Sequence, residues 1–182
     1  MRKEILIAGF GGQGIVLAGY IVGKAAAIYD NKNAVFTQSY GPEARGGACS
    51  AEIIIADSDI DYPHVTKADI IVLMSQEACT EYSDKIADGG IIIFDRDLVT
   101  LDKELFSSKK HISIYSIHST KIAEEDIGKK IVANIVMLGF FTKITNIISV
   151  EAMKKSLLES VPAGLQKLNL AAFERGYSYR TK

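Results

Sequence analysis

The segment Gly9-Phe10-Gly11-Gly12-Gln13-Gly14 carries Gly9, Gly11 and Gly14 in Gly-x-Gly-x-x-Gly spacing, after a β-branched run and before apolar residues at helical spacing. Glycines there let the backbone turn tightly and come close to a ligand, and a helix that opens next offers unpaired N–H groups to an anion. Gly11, Gly12, Gln13 and Gly14 are therefore candidate contacts for a phosphorylated ligand. A packing turn between strand and helix is the competing explanation. Ser39-Tyr40-Gly41-Pro42-Glu43-Ala44-Arg45-Gly46-Gly47 is the second unusual stretch. Arg45, with Gly46 and Gly47 leaving little cover around it, can reach a phosphate or carboxylate with two parallel donors. Glu43 could orient that guanidinium or face a cofactor nitrogen in a partner. The plain alternative is a glycine-rich turn whose surface Arg–Glu pair contributes almost nothing.

A dinucleotide site of the NAD type needs an acidic residue at the end of the second strand, about 20 residues beyond the glycines. Gln38-Ser39-Tyr40 occupies that place, and Asp30 precedes the strand. Other polar groups have ordinary explanations. Ser75-Gln76 would project at a strand end, where Ser75 serves equally as a helix N-cap. Asp95-Arg96-Asp97 reads as a solvated, self-paired loop. Asn134, among Val132, Ala133, Ile135 and Val136, is either a satisfied core amide or an interface contact. His64, His111 and His118 have no carboxylate or serine at catalytic spacing, and His118-Ser119-Thr120 reads as the start of a helix. The sequence shows no Gly-x-Ser-x-Gly elbow, Walker lysine, metal-ligand cluster or activated cysteine. No catalytic residue and no metal ligand is assigned. A chain with binding loops but neither nucleophile nor redox centre is expected to work as a subunit.

The elements that would position these loops follow from periodicity. Strands are expected at Glu4–Ala8, Ala34–Gln38, Cys49–Ala56, Asp69–Met74, Gly90–Phe94 and Ile112–Ile117, the last as a candidate edge. Helices are expected from Ile15 to about Tyr29, over Glu77–Ile86, Lys130–Ile144 and Glu151–Leu158, and, after the Ser160-Val161-Pro162 break, over Ala163–Gly176. Ser39 to Gly47 reads as structureless. The opening β–glycine loop–α–β order belongs to a parallel, doubly wound sheet. The second and third strands are too close in sequence for a crossover helix, so an antiparallel pair and a mixed sheet are expected. The fold class is α/β, a three-layer α/β/α domain over residues 1–182 with a mixed, mostly parallel sheet and a helical last third.

Composition bounds the function. With 48% hydrophobic and 24% charged residues in 182, the chain can bury a full core. A formal net charge of −1 gives no field to recruit nucleic acid or an anionic membrane, so any anion must be held by local donors. The two cysteines, Cys49 and Cys79, are too few for an iron–sulfur cluster or a zinc ribbon. Met1-Arg2-Lys3-Glu4 leads straight into a strand, and apolar runs such as Ile135–Phe141 are too short to span a bilayer. A soluble cytoplasmic protein is expected.

Taken together, the glycine loop and Thr37-Gln38-Ser39-Tyr40-Gly41-Pro42-Glu43-Ala44-Arg45-Gly46-Gly47 resemble the γ subunits of the 2-oxoacid:ferredoxin oxidoreductases, most of all the 2-oxoglutarate (2-ketoglutarate) branch. The likeness continues through Asp61-Tyr62-Pro63, Ser75-Gln76-Glu77-Ala78, Asn134 to Gly139, Val161-Pro162 and Leu168-Asn169-Leu170, so it covers essentially the whole chain. The resemblance implies a complex that decarboxylates a 2-oxoacid on thiamine diphosphate, passes the acyl group to coenzyme A and sends electrons through iron–sulfur clusters to ferredoxin. Thiamine diphosphate and the clusters would belong to partner subunits, α and β and, where the complex has one, a ferredoxin-like δ. This chain would face the shared coenzyme A site with Gly11, Gly12, Gln13, Gly14, Ser39, Tyr40, Glu43, Arg45, Gly46 and Gly47, and would be inactive alone. Another 2-oxoacid (pyruvate, a branched-chain 2-oxoacid or indolepyruvate) and a stand-alone NAD(P)-binding oxidoreductase are the alternatives. The isolated chain could also pair with itself through the face meant for its partners.

Overall fold

The computed structural model describes residues 1–40 and 48–180. Six strands, β1 (Arg2–Phe10), β2 (Asn33–Tyr40), β3 (Ala48–Ala56), β4 (Ala68–Leu73), β5 (Ile86–Asp95) and β6 (Ser113–Ile117), form one sheet in the order β2-β3-β1-β4-β5-β6. β3 runs antiparallel to both neighbours, and the remaining contacts are parallel. The mixed sheet expected from the short β2–β3 connection is therefore present. β2 is parallel to β1, as the opening unit implies, but β3 is inserted between them. β6 is an edge, as its alternation suggested.

Alternate residues of the central strands feed two cores. Ile5, Ile7, Ile53, Ile55, Ile70 and Val72 face the larger helical layer, while Leu6, Ala8, Ile54, Ile71 and Leu73 face the opposite side. Both sides are buried, so these strands read as continuous apolar runs rather than alternating ones. The larger layer holds α1 (Ile15–Lys24), α3 (Ser119–Glu125), α4 (Ala133–Thr145), α5 (Val150–Ser160) and α6 (Gln166–Ser178). The thinner one holds α2 (Gln76–Tyr82) and the segment around Val99 and Phe106. α4 and α6 meet backbone to backbone: a Cβ on Gly139 would strike the Phe173 carbonyl, and one on Gly176 the Val136 carbonyl. That contact closes one side of α4, and with its other neighbours it buries residues 133–142 throughout, which is why those residues show no free face.

Several boundaries depart from expectation. The helix expected over Glu77–Ile86 is α2 to Tyr82, then a 3-10 turn over Ser83–Lys85. The Ser83 hydroxyl bonds back to the Cys79 carbonyl, and Ile86 already pairs with Ala68 in the sheet. β5 thus starts at Ile86 rather than Gly90, and the Asp88-Gly89-Gly90 turn becomes an irregularity between Ala68 and Ile70, with Gly89 at φ 75. β2 extends past Gln38 to Ser39 and Tyr40, which pair with Ser50 and Cys49, so these two residues are strand rather than loop. The first helix does reach Tyr29, its last turn widened into a π-helix over Ala25–Tyr29.

Candidate functional site

The parallel strands and β2 end at one edge of the sheet, where β3 begins. This edge gathers the glycine loop, Tyr40, Met74-Ser75, Asp95 to Asp97 and His118. An open α/β sheet offers a crevice at this edge. Gly9 and Tyr40 both pair with Cys49, one on each side, so the glycine loop and the end of β2 are about 10 Å apart, two strand spacings. Burial pushes the thiol of Cys49 up from its ordinary range, which keeps it a core group and not a nucleophile.

The glycine loop is held from within. Gln13 Oε1 accepts from Phe10 N at 2.6 Å, and Gln13 Nε2 donates to the Met74 carbonyl at 2.8 Å, fastening the loop to the end of β4. Gly14 is the N-cap of α1 at φ 73, and Asn134 Nδ2 donates to its carbonyl at 3.0 Å. Asn134 is thus the satisfied core amide, and it ties the loop to α4. A Cβ on Gly14 would overlap the Asn134 amide, and one on Gly9 would come within 2.6 Å of Gln13 Oε1. Gly9 and Gly14 are packing glycines. Gly11 and Gly12 are exposed, and a Cβ on either would meet nothing within 4 Å. Only these two glycines of the loop face space that a ligand could fill.

Beside the loop lies a cavity of about 310 Å³ lined by Gly12, Gln13, Met74, Leu98, Thr120 and Lys130, among others. Its walls are mostly apolar, and Lys130 supplies a cation at the rim, where it is 3.1 Å from Glu124 Oε1. Phe10, Tyr40 and Ile131 are exposed at 38%, 63% and 76%, so the site has a large apolar border. Lys130 and Ile131 were not singled out from the sequence. They reach the glycine loop only because α4 packs beside α1, a relation with no local signal.

Ser75 caps α2, its Oγ accepting from Ala78 N at 3.1 Å, and Gln76 Oε1 accepts from Thr100 N at 2.8 Å. Asp95-Arg96-Asp97 is not the solvated, self-paired loop expected. Asp95 is fully buried, its Oδ2 accepting from Ser119 Oγ (2.6 Å), Thr120 Oγ1 (2.6 Å) and Thr120 N (3.0 Å). Asp97 receives Lys121 N at 2.8 Å and pairs with His118 Nδ1 at 2.5 Å. The two carboxylates therefore join β5 to the start of α3, which explains polar residues in an otherwise apolar neighbourhood. Among the described residues no group of His, Cys, Asp or Glu is placed to hold a metal ion, and no helix is long and apolar enough to cross a membrane.

The sequence matches the pyruvate ferredoxin/flavodoxin oxidoreductase family over residues 4–179. The chain belongs to that family. Within it, 2-oxoglutarate synthase subunit KorC of Methanocaldococcus jannaschii is 55% identical over 177 residues, 97% of this chain and 93% of the relative. The keto/oxoacid ferredoxin oxidoreductase γ subunit from Geobacter sulfurreducens has the same fold, with a TM-score of 0.83 and 41% identity over 96% of both chains. A 2-oxoglutarate:ferredoxin oxidoreductase from Magnetococcus marinus, solved with 2-oxoglutarate, coenzyme A and succinyl-CoA bound, shares the fold at a TM-score of 0.83. That likeness spans 97% of this chain and 30% of that one at 21% identity.

In this oxidoreductase-family chain the site residues expected from the sequence fall into two groups. Gly11, Gly12, Gln13 and Gly14 lie together in the loop, of which Gly12 and Gln13 line the cavity, with Ser39 and Tyr40 exposed two strands away. Glu43, Arg45, Gly46 and Gly47 lie outside the described residues.

Proposed function

We propose that the chain is the γ subunit of a 2-oxoglutarate:ferredoxin oxidoreductase, the complex that converts 2-oxoglutarate and coenzyme A to succinyl-CoA and carbon dioxide while reducing ferredoxin. The observation that carries this is the near full-length 55% identity to a 2-oxoglutarate synthase subunit. The physical site agrees with a binding role. Gly11 and Gly12 leave open space beside backbone N–H groups, the neighbouring cavity is mostly apolar, and Lys130 stands at its rim. Backbone donors and a lysine suit an anionic group of coenzyme A, while apolar walls suit its uncharged arm. Glu43 and Arg45 follow Tyr40 in the sequence and carry one charge of each sign.

The chain's part is to bind and orient, with no proton or acyl transfer on its own residues. Thiamine diphosphate and the iron–sulfur clusters belong in this reading to α, β and ferredoxin-like partner subunits. Two buried cysteines, one at β3 and one in α2, fall short of the four thiolates a cluster takes. The apolar border of Phe10, Tyr40 and Ile131 supports docking against those partners, since a lone soluble chain gains nothing from exposing it. The complex would work in the cytoplasm.

The test is to isolate the tagged chain from its native cell without oxygen and assay coenzyme A-dependent dye reduction with 2-oxoglutarate, pyruvate and branched-chain 2-oxoacids. Co-purifying thiamine- and cluster-bearing subunits with preferred turnover of 2-oxoglutarate is expected. Preferred turnover of another 2-oxoacid, or a lone active chain that binds NAD(P), would overturn the assignment.

A further inference from the structure

A second cleft of about 610 Å³ opens at the same sheet edge, and Arg96, Tyr115, Ser116, His118, Tyr179 and Arg180 are among its lining residues. None of the described residues that line it is acidic. Among the described residues the arginine ion pairs are those of Arg2 with Glu4 and Arg175 with Asp126, so neither Arg96 nor Arg180 at this cleft has an ion-pair partner among them. Both carboxylates that flank Arg96 in sequence are already engaged, Asp95 by Ser119 and Thr120 and Asp97 by His118 Nδ1 and Lys121 N.

The frame around these cations is rigid. Arg96 N donates to the Ile117 carbonyl at 2.9 Å, and buried Asp95 locks the adjoining strand end to Ser119 and Thr120. On the far wall Tyr179 is fixed by its backbone, whose carbonyl accepts from Lys143 Nζ at 2.6 Å. Its ring sits edge-on to Phe140 with centroids 5.7 Å apart. Arg180 follows directly. A backbone fixed in this way leaves only the arginine side chains to be ordered when an anion binds.

We propose that this cleft is a nucleoside phosphate site: Arg96, Arg180 and the second ring nitrogen of His118 take the phosphate oxygens, and the aromatic wall of Tyr115 and Tyr179 takes the base. Guanidinium groups match phosphate oxygens in pairs, and tyrosine rings offer flat apolar faces to a heterocycle. The volume lies in the range of small-molecule pockets. Leu98 and Thr120 line the glycine-loop cavity while Arg96 and His118 line this cleft, so the two sites flank one short junction. The same chemistry could come from a free nucleotide or from the nucleotide end of coenzyme A, and the two are separable.

The experiment is calorimetric titration of the full chain with ADP, with inorganic pyrophosphate and with coenzyme A. Wild type is compared with the double variant Arg96→Ala, Arg180→Ala and with Tyr115→Ala. Both arginines are exposed, so folding should survive their loss, which circular dichroism checks. ADP affinity should fall more than about tenfold in the double variant, the loss expected for removing charge-assisted hydrogen bonds. Tyr115→Ala should weaken ADP but leave pyrophosphate unchanged. A matching fall for coenzyme A identifies its nucleotide end as the ligand, and unchanged coenzyme A affinity identifies a free nucleotide. No ADP binding by wild type, or unchanged ADP affinity in the double variant, would each overturn the proposal.

Discussion

Replacing Gly14 with alanine probes the joint between the glycine loop, α1 and α4. Gly14 sits at φ 73, and a non-glycine residue held in that left-handed region costs about 1–2 kcal/mol. The added methyl would also overlap the Asn134 amide, which is only 3% exposed and donates to the Gly14 carbonyl at 3.0 Å. Driving that amide from its partner leaves buried polar atoms unpaired, for about 1–3 kcal/mol more. The expected total is about 2–5 kcal/mol, or a fall in Tm of roughly 4–20 °C for a chain of this size. Urea denaturation of wild type, Gly14→Ala, Asn134→Ala and the double variant separates the two contributions. With Asn134 already truncated, Gly14→Ala should cost only the backbone share of about 1–2 kcal/mol. An equal cost in both backgrounds, or a Gly14→Ala cost below about 0.5 kcal/mol, would refute the reasoning.

Gly176→Ala should destabilise by about 3 kcal/mol because its methyl would strike the backbone of α4 at the Val136 carbonyl; a stabilised variant, as helix propensity alone would give, is the contrary thermal-melt result. Asp95→Ala should cost about 3 kcal/mol or more in urea, since it strands the Ser119 and Thr120 donors, whereas Asp95→Asn keeps an acceptor and should cost less. Lys24 bonds to Glu159 at 2.8 Å and holds that carboxyl below its ordinary value of 4.5, while Glu159 raises the Lys24 ammonium above 10.5. This contribution is present above the unfolded carboxyl's value and is lost as pH falls through the lower folded one; at the other end it fades as pH rises through the raised Lys24 value. The stability gap between wild type and Lys24→Met should therefore be flat around neutrality and close in acid, read from melts across pH.

Much of this architecture is legible because both sides of the sheet are covered. Runs such as Ile53-Ile54-Ile55 mark central strands without alternation, and the short stretch between β2 and β3 forces an antiparallel pair. Less legible were boundaries set by partners distant in sequence. Ile86 leaves the helical pattern because Ala68 pairs with it, and Ser39 and Tyr40 stay extended because Ser50 and Cys49 lie opposite. The glycine loop was visible by spacing, but the spacing could not say which glycines serve packing. That follows from neighbours: Gln13 and Ile15 crowd Gly9, and Asn134 crowds Gly14, leaving Gly11 and Gly12 open. Asp95 looked like a surface charge because its donors lie 24 and 25 residues further along the chain.

The most direct test of ligand contact by the loop is Gly11→Val in the assembled complex. A Cβ on Gly11 would meet nothing within 4 Å among the described residues, and Gly11 is not among the glycines at positive φ, so the substitution should leave the Tm essentially unchanged. If coenzyme A lies against this loop, the KM for coenzyme A should rise by about tenfold or more, as lost backbone hydrogen bonds to an anion require, with the KM for 2-oxoglutarate unaltered. An unchanged KM for coenzyme A in a folded, assembled variant would contradict the binding role and leave the loop a turn.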